Sequence, residues 1–299
     1  MANLNLDHLT TFRLVISRGS FSGAAEALGL SQPAVSLQIR QLEQTLQVRL
    51  IERTSRGIRP TPAGLTLSEH CMKIAAVVST AVESVSLHSD EITGTVTVGT
   101  GATACIHLLP PILQQLRQAH PLLKVDVRTG NTSDIVRAVE ENRIDIGLVT
   151  LPAAGKCLSV SPLGTDEFII IMEKDVSEQS AKPLSPDALL SLPLIIFEPG
   201  SGTRALIDEW FQQAGHVASP VMELGSIEAI KRMVRAGLGY SIVPRMSVAD
   251  LEEREGLSLS SMTPSLCRTL GTVMREDRII SRGMNEVLST LSKAFSEVK

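Results

Sequence analysis

The chain has 299 residues, of which 43% are hydrophobic and 20% charged, and its formal net charge is −4. This composition is typical of a folded protein with two or three domains, and it excludes a disordered, collagen-like or disulfide-stapled chain. No apolar run approaches the ~18 residues of a membrane-spanning helix, and the N-terminus lacks the features of a secretory signal, so we expect a cytoplasmic protein.

The four cysteines lie far apart in the sequence and form no C-x-x-C pair; they are Cys71, Cys105, Cys157 and Cys267. No histidine stands at a metal-ligand spacing from them. Isolated cysteines are usually small buried apolar residues, and we favour that interpretation over a redox sensor. We expect no metal site and no cofactor.

The basic residues are unevenly distributed. Residues 1–64 contain seven arginines, no lysine and four acidic residues, whereas the rest of the chain has more acidic than basic side chains. A basic end on an acidic body favours a polyanionic partner that is bound by one domain only.

Three short helices are predicted in this basic end, with turns at Gly19 and Gly29. Ser20 and Ser31 stand where helix N-caps are expected, and Pro33 falls in the first turn of the third helix, where its missing N–H costs nothing. Two short helices around a glycine turn are typical of a helix-turn-helix that enters the major groove of DNA. An αα-hairpin inside a globular core is the alternative.

The third predicted helix has an apolar and a polar face. Its apolar stripe consists of Val35, Ile39, Leu42 and Leu46. The opposite face carries Gln32, Pro33, Ser36, Leu37 and Arg40. A glutamine can pair with an adenine edge, an arginine with phosphate or guanine, and a serine with either kind of acceptor. The polar face is therefore suited to DNA.

A two-stranded wing is predicted after Leu50. Arg53, Arg56 and Arg59 follow at intervals of three around Gly57. Arginines placed in this way would contact backbone phosphates, which adds affinity and salt dependence without reading the base sequence.

The run from Phe12 to Gly64 resembles the winged helix-turn-helix of LysR-type transcriptional regulators, through FSGAAEALGLSQPAVSLQIRQLE, then LIERT, then TPAG. The resemblance implies DNA contacts from the recognition helix and the wing. The candidate DNA-binding residues are Ser31, Gln32, Pro33, Ser36, Leu37, Arg40, Arg53, Arg56 and Arg59, in a domain of residues 1–61. Many members of the family have arginine where this chain has Leu37, which indicates a different operator preference.

A long helix is predicted from Thr61 and Pro62 to about Ser89. An apolar seam with heptad spacing follows it through Leu67, Cys71, Ile74, Val78, Ala81 and Val85. Such a seam favours a coiled-coil dimer over a helix packed on its own domain. The resemblance implies the same role for this linker helix, residues 62–91, and implies a homodimer that assembles to a homotetramer.

From Gly94 onward, short β-branched runs alternate with helical patterns, which predicts parallel sheets flanked by helices. The expected strands are 95–99, 124–129, 145–150, 168–172, 194–197 and 240–243, and the expected helices are 112–119, 132–141, 203–213 and 227–236. We expect an α/β effector-binding domain over residues 92–299. Its subdomain I covers about 92–164 and 269–299, and subdomain II about 165–268, with a ligand cleft between them.

Hydroxyl and glycine residues cluster at the expected strand ends and helix starts. The candidate effector-binding residues are Thr100, Gly101, Thr103, Asn131, Thr150, Ser201, Thr203, Arg204 and Ser226. Free amides and hydroxyls at helix starts can hold an anion, although each residue taken singly would be a helix cap. Arg204 is either an effector clamp or a surface ion-pair partner.

The resemblance extends to this half through LPPIL near Leu109, IDIGLV near Asp145 and GLGYSIVP near Gly239. These runs are similar to the effector-binding domain of the same family, which has a periplasmic-binding-protein-like fold. The resemblance implies a small carboxylate or inorganic anion as effector, with promoter DNA and RNA polymerase as further partners. It implies a regulator and not an enzyme.

Two alternatives lack DNA binding. The run from Gly99 to Ala104 fits the G-x-G-x-x-A dinucleotide fingerprint, so an NAD-dependent enzyme is a formal alternative. We expect Pro110 and Pro111 to interrupt the helix that this fingerprint requires. A free solute-binding protein is the other alternative, but it would need an export signal and would not carry the arginine-rich wing.

Overall fold

The computed structural model describes residues 4–54, 57–86, 91–174 and 183–297. The chain divides into two compact units, Met1–Ser84 and Val85–Lys299. Arg56, the predicted end of the linker helix and the side chains of Arg53 and Val85 lie outside the described part. None of the described helices is long and apolar enough to cross a membrane.

The N-terminal unit contains the predicted three-helix arrangement, a wing and a long helix. Its elements are α1 (Leu6–Arg18), α2 (Phe21–Leu28), α3 (Gln32–Leu46), β1 (Ile51–Thr54), β2 (Gly57–Pro60) and α4 (Pro62–Ser86). Gly19 and Gly29 end the first two helices at φ +64° and +63°, a conformation that glycine adopts without strain. The Oγ atoms of Ser20 and Ser31 accept hydrogen bonds from amides in the first turns, as predicted for N-caps.

The wing is joined to α4 by a tightly packed corner. Strands β1 and β2 pair antiparallel, with Glu52 opposite Arg59. Thr61 Oγ1 accepts a hydrogen bond from the Gly64 amide at 3.0 Å and donates one to the Arg49 carbonyl at 2.7 Å. A Cβ atom at Gly64 would lie 2.1 Å from the carbonyl oxygen of Leu50, so only glycine fits this corner without a shift of the backbone.

The first half of the predicted coiled-coil seam packs against its own unit. Cys71 is only 4% exposed and belongs to the apolar core of the N-terminal unit, against which Leu67 and Ile74 are also packed. Packing of these three side chains against that core stabilises their own unit. Val78 and Ala81 are exposed and Leu67 and Ile74 partly so, and the role of the seam in dimerisation remains a prediction.

The C-terminal unit alternates strands and helices more often than predicted. Its strands are β3 (Gly94–Thr100), β4 (Leu123–Thr129), β5 (Ile146–Leu151), β6 (Leu158–Glu173), β7 (Leu194–Phe197), β8 (Pro220–Leu224), β9 (Ser241–Pro244), β10 (Leu257–Ser260) and β11 (Cys267–Arg275). Its helices are α5 (Ala102–His107), α6 (Leu109–Ala119), α7 (Thr132–Glu140), α8 (Pro186–Leu189), α9 (Gly202–Gln213), α10 (Ile227–Arg235), α11 (Leu251–Arg254) and α12 (Arg282–Glu297), with a 3₁₀ turn at Arg245–Val248.

The main sheet is mixed, which corrects the prediction of purely parallel sheets. Its order is β10-β6-β11-β5-β3-β4, and β9 also pairs with β6. Strands β3, β4 and β5 are parallel to one another, and so are β7 and β8 in a second sheet, whereas β6 and β11 run antiparallel to their neighbours. The first half of the 16-residue β6 pairs with β11 and its second half with β9 and β10.

The C-terminal unit contains two large apolar cores. One is built around Phe168, Ile195 and Trp210, and the other around Val96 and Ile146. The long strands β6 and β11 contribute residues to the region between the cores, so they connect two subdomains of one unit. Residues that follow β3, β5 and β7 are thereby brought to a common cleft.

A short helix follows the first strand of the C-terminal unit directly. Helix α5 begins at Ala102, and Pro110 and Pro111 open the next helix, α6, instead of interrupting one. The expectation that a helix is missing after the G-x-G-x-x-A run was wrong. Proline at the start of a helix loses no hydrogen bond, which explains why the pair is tolerated there.

Candidate DNA-binding face and effector cavity

The outer face of α3 presents the side chains that the sequence predicted. Gln32, Pro33, Leu37 and Arg40 are exposed and Ser36 is partly so, whereas the apolar stripe of the same helix is buried except at Leu46, which is partly buried. The Gln32 Nε2 donates a hydrogen bond to Ser36 Oγ at 3.0 Å. This bond orders two polar side chains on the exposed face before any partner is present.

The wing adds a second basic element. Arg59 is exposed on β2, the strand that pairs with β1. A two-stranded ribbon that carries an exposed arginine is suited to contact with phosphates. The role of the wing arginines remains a prediction.

A cavity of about 450 Å³ lies between the subdomains of the C-terminal unit. Seven of the nine predicted effector residues line it: Thr100, Gly101, Thr103, Asn131, Thr150, Ser201 and Thr203. The first turns of α7 and α9 border the same space, so backbone amides and hydroxyl groups converge there. Their role in binding an effector remains a prediction.

Thr100 is distinct among the lining residues. Its side chain is fully buried, and its Oγ1 has no hydrogen-bond partner among the described residues. An unpaired buried hydroxyl costs free energy.

Two lining residues also serve as helix caps. Asn131 Oδ1 accepts from the Asp134 amide at 2.9 Å at the start of α7, and Ser201 Oγ accepts from the Arg204 amide at 3.0 Å at the start of α9. Capping uses these oxygens as acceptors. The Ser201 hydroxyl hydrogen is therefore still available to an anion in the cavity.

Two predicted effector residues do not line the cavity. Arg204 lies within 2.8 Å of Asp208 and 2.7 Å of Glu223, and it also donates to the Phe197 carbonyl. These acceptors occupy its guanidinium, so it is an ion-pair partner and not an effector clamp. Ser226 is exposed beside Gly225, which does line the cavity.

The sequence did not identify a buried ion pair at the cavity wall. Arg268, which lines the cavity, donates from Nε and Nη2 to Asp166 Oδ2 at 3.0 and 2.9 Å. Both side chains are 6% exposed. Burial raises the pKa of Asp166 and lowers that of Arg268, as expected when charges leave water.

The charged groups at the cavity leave one net negative charge, that of Glu198. Arg268 is neutralised by Asp166, and the carboxylate-bearing Glu198 also lines the space. An anion in this cavity would therefore be held by hydroxyls and backbone amides and not by an unpaired cation.

A second network connects the two subdomains. His107, at the end of α5, places Nε2 3.3 Å from Glu228 Oε1 on α10. Lys231 Nζ, fully buried, lies 2.8 Å from Glu228, 2.6 Å from Glu253 and 3.0 Å from the Ser247 carbonyl. The histidine and the two carboxylates are close enough for a metal ion, but the Lys231 ammonium already sits against both carboxylates.

The protein should lose stability as the pH falls through the range in which His107 titrates. Burial, and then the charge of Lys231, lower the pKa of His107 below its ordinary value of 6.5. The unfolded chain therefore binds a proton more readily, so the contribution of neutral His107 is complete above pH 6.5 and is lost as the pH drops toward the folded pKa. Thermal unfolding from about pH 5 to pH 8 should show a shallower acid loss for His107→Gln than for the unsubstituted protein. If the melting temperatures of the two proteins fell in parallel with decreasing pH, the assignment of this loss to His107 would be contradicted.

The cysteines differ in exposure. Cys71 is buried, and burial raises the pKa of its thiol, whereas Cys105 is half-buried and Cys157 and Cys267 are exposed. The interpretation of all four as buried apolar residues was therefore wrong for Cys157 and Cys267. Burial and the nearby acidic groups Glu167 and Asp166 raise the pKa of the Cys267 thiol, which disfavours the reactive thiolate.

Comparison with known families agrees with this architecture. Residues 6–65 match the bacterial regulatory helix-turn-helix protein, lysR family, and residues 89–296 match the LysR substrate binding domain. The chain belongs to the LysR family. It is thus a DNA-binding transcriptional regulator with an effector-binding domain.

Relatives of this LysR-type regulator resemble it over most of its length. The HTH-type transcriptional regulator CbbR of Xanthobacter flavus is 32% identical over 246 residues, which cover 82% of this chain and 74% of that protein. The HTH-type transcriptional regulator CysL of Bacillus subtilis (strain 168) is 30% identical over 268 residues, covering 89% and 90%. These relatives are transcriptional regulators, so neither a free solute-binding protein nor an NAD-dependent enzyme is supported.

Solved structures show the same fold. A full-length OxyR variant from Pseudomonas aeruginosa superposes on this LysR-type chain with a TM-score of 0.75 at 20% identity, covering 98% of this chain and 95% of that one. Full-length CbnR complexed with its target DNA gives a TM-score of 0.70 at 18% identity, covering 97% and 100%. At these identities the likeness concerns the fold alone.

Proposed function

We propose that this regulator binds promoter DNA through α3 and the wing, and that a small anionic effector in the cavity modulates this binding. The observation that carries the effector site is the buried, unpaired hydroxyl of Thr100 in a cavity that the first turns of α7 and α9 border. The hydroxyls and helix-start amides that converge on the cavity favour a compact anion such as a carboxylate or an inorganic oxyanion, held away from the Glu198 carboxylate.

Regulation follows from the position of the cavity between the subdomains. An effector that contacts Thr100 and Thr150 on one side and Ser201 on the other would favour the closed arrangement of the two subdomains. We infer that closure changes how subunits pack and thereby the spacing or bend of the bound operator. In this account the protein is a homodimer joined in part through Val78 and Ala81, it assembles to a homotetramer, and RNA polymerase is a further partner.

A thermal-shift screen tests the effector site. Sulfate, phosphate, acetate, succinate and citrate are added separately to the purified protein, because an anion that binds the folded state alone must raise its melting temperature. A shift that saturates with concentration supports the site. Shifts that rise with ionic strength equally for all five anions would contradict a specific cavity.

Thr100→Val should abolish most of that shift without destabilising the protein. Valine keeps the shape of threonine but lacks the unpaired hydroxyl, so the unliganded protein should be as stable or more stable. The affinity for the anion found in the screen should fall about tenfold or more, the loss of one hydrogen bond to a charged group. Titration calorimetry measures it.

Thr272→Val is the matched control. Thr272 is a buried threonine on β11 that does not line the cavity, so its replacement should leave the anion affinity unchanged. Equal losses of affinity in the two variants would show that the cavity hydroxyl has no particular role.

A further inference from the structure

Leu37 is an exposed leucine in the middle of the candidate DNA-binding face. Its side chain is 53% exposed, although Val35, Ile39 and Leu42 of the same helix are buried. At 3.6 residues per turn, Leu37 points about 170° away from the mean direction of those three residues. Its side chain therefore lies on the face of α3 that is proposed to contact DNA.

Leu37 does not belong to the apolar core of the N-terminal unit. The core cluster and the partly buried side chains packed against it include Leu46 from α3 but not Leu37. Its neighbours on the exposed face are polar, and Gln32 and Ser36 are already joined by a hydrogen bond. Core packing therefore does not explain a leucine at this position.

The major groove contains one apolar group that a leucine can contact. Each thymine exposes a C5 methyl group there, whereas the other bases present hydrogen-bond donors and acceptors. Leucine can make no hydrogen bond, so it would leave donors and acceptors of any other base unpaired. A thymine methyl is the matching surface.

We propose that Leu37 recognises the C5 methyl group of a thymine in each operator half-site. Leu37 is then a specificity-determining residue that reads shape and apolar surface, while Gln32 and Arg40 supply the polar contacts. The inference rests on the proposed DNA-binding role of α3 and deepens it.

Replacing thymine by uracil in the operator tests the inference, because uracil lacks only the methyl group. The probe is the promoter fragment that the protein retains from fragmented DNA of its own genome. Each thymine of the half-sites is replaced in turn by deoxyuridine, and affinity is measured by fluorescence anisotropy at fixed salt. The unsubstituted protein should lose about fourfold in affinity per half-site at one thymine position, the effect of one buried methyl group.

The variant Leu37→Ala tests whether the leucine side chain causes the preference for thymine over uracil. This variant should bind the thymine duplex more weakly and should no longer distinguish thymine from uracil at that position. Leu6→Ala, at an exposed leucine of α1, is the matched control and should keep the discrimination. Equal discrimination by Leu37→Ala and the unsubstituted protein at every position would overturn the inference. A protein that retains no specific fragment would instead contradict the proposed function.

Discussion

Replacing Arg268 by methionine should lower the free energy of unfolding of the C-terminal unit by about 3–5 kcal/mol, because it leaves the buried Asp166 carboxylate without its partner. Methionine retains much of the packing that the arginine makes over the Phe168 ring, 5.8 Å from its guanidinium. The loss should therefore come chiefly from the unpaired charge.

Urea unfolding followed by tryptophan fluorescence measures this change. Trp210 is the single tryptophan of the chain and is buried in the C-terminal unit, where its Nε1 donates to the Pro264 carbonyl at 2.7 Å. Its emission therefore reports unfolding of the unit that contains Arg268.

The double variant Asp166→Leu with Arg268→Met separates the cost of an unpaired charge from the cost of lost packing. When both charges are replaced by apolar side chains, most of the stability should return, since a buried ion pair contributes little net free energy over a packed apolar pair. A single variant that costs less than about 1 kcal/mol would show that the carboxylate is not truly buried.

Gly64→Ala should destabilise the N-terminal unit by about 3 kcal/mol and should abolish DNA binding. The added methyl group would lie 2.1 Å from the Leu50 carbonyl oxygen, which is backbone and cannot rotate away. The corner must then open, and that displaces the wing and the start of α4 relative to α3.

Circular dichroism and DNA binding measure this effect together. The melting transition of the N-terminal helices should shift to lower temperature, while the Trp210 transition of the C-terminal unit should stay in place. Glu69→Ala, at an exposed position of α4, is the control and should bind DNA as the unsubstituted protein does. Normal operator affinity of Gly64→Ala would mean that the corner tolerates an added side chain.

Local sequence signals predicted the first three helices of the N-terminal unit closely. Serine caps, glycine stops and a proline in a first turn act within a few residues. The end of the first helix, both ends of the second and the start of the third therefore lie within about one residue of the expected positions. The spacing of the apolar stripe alone placed Leu37 and Arg40 on the exposed face.

Periodicity did not reveal which surface an apolar stripe meets. The seam of α4 has the spacing of a coiled coil, yet Cys71 packs into the core of its own unit. A helix covering its own domain and a helix joining a partner need the same spacing, so only tertiary structure distinguishes them.

The missed features join residues that are distant in the chain. Asp166 and Arg268 are 102 positions apart, and the antiparallel pairing of β6 with β11 brings them together. His107 and Glu228 likewise meet only across the two subdomains. Strand ends, by contrast, can be predicted from the sequence. For this reason seven of the nine residues chosen as effector candidates do lie at the cavity.

Binding of promoter DNA with and without the anion that raises the melting temperature tests the central claim most directly. Fluorescence anisotropy compares a fragment retained from the protein's own genome with a random duplex of equal length, at one fixed salt concentration. We expect a clear preference for the selected fragment, and an affinity or a DNA bend that the anion changes in the unsubstituted protein but not in Thr100→Val. Equal affinity for both duplexes, unaffected by the anion, would contradict the account.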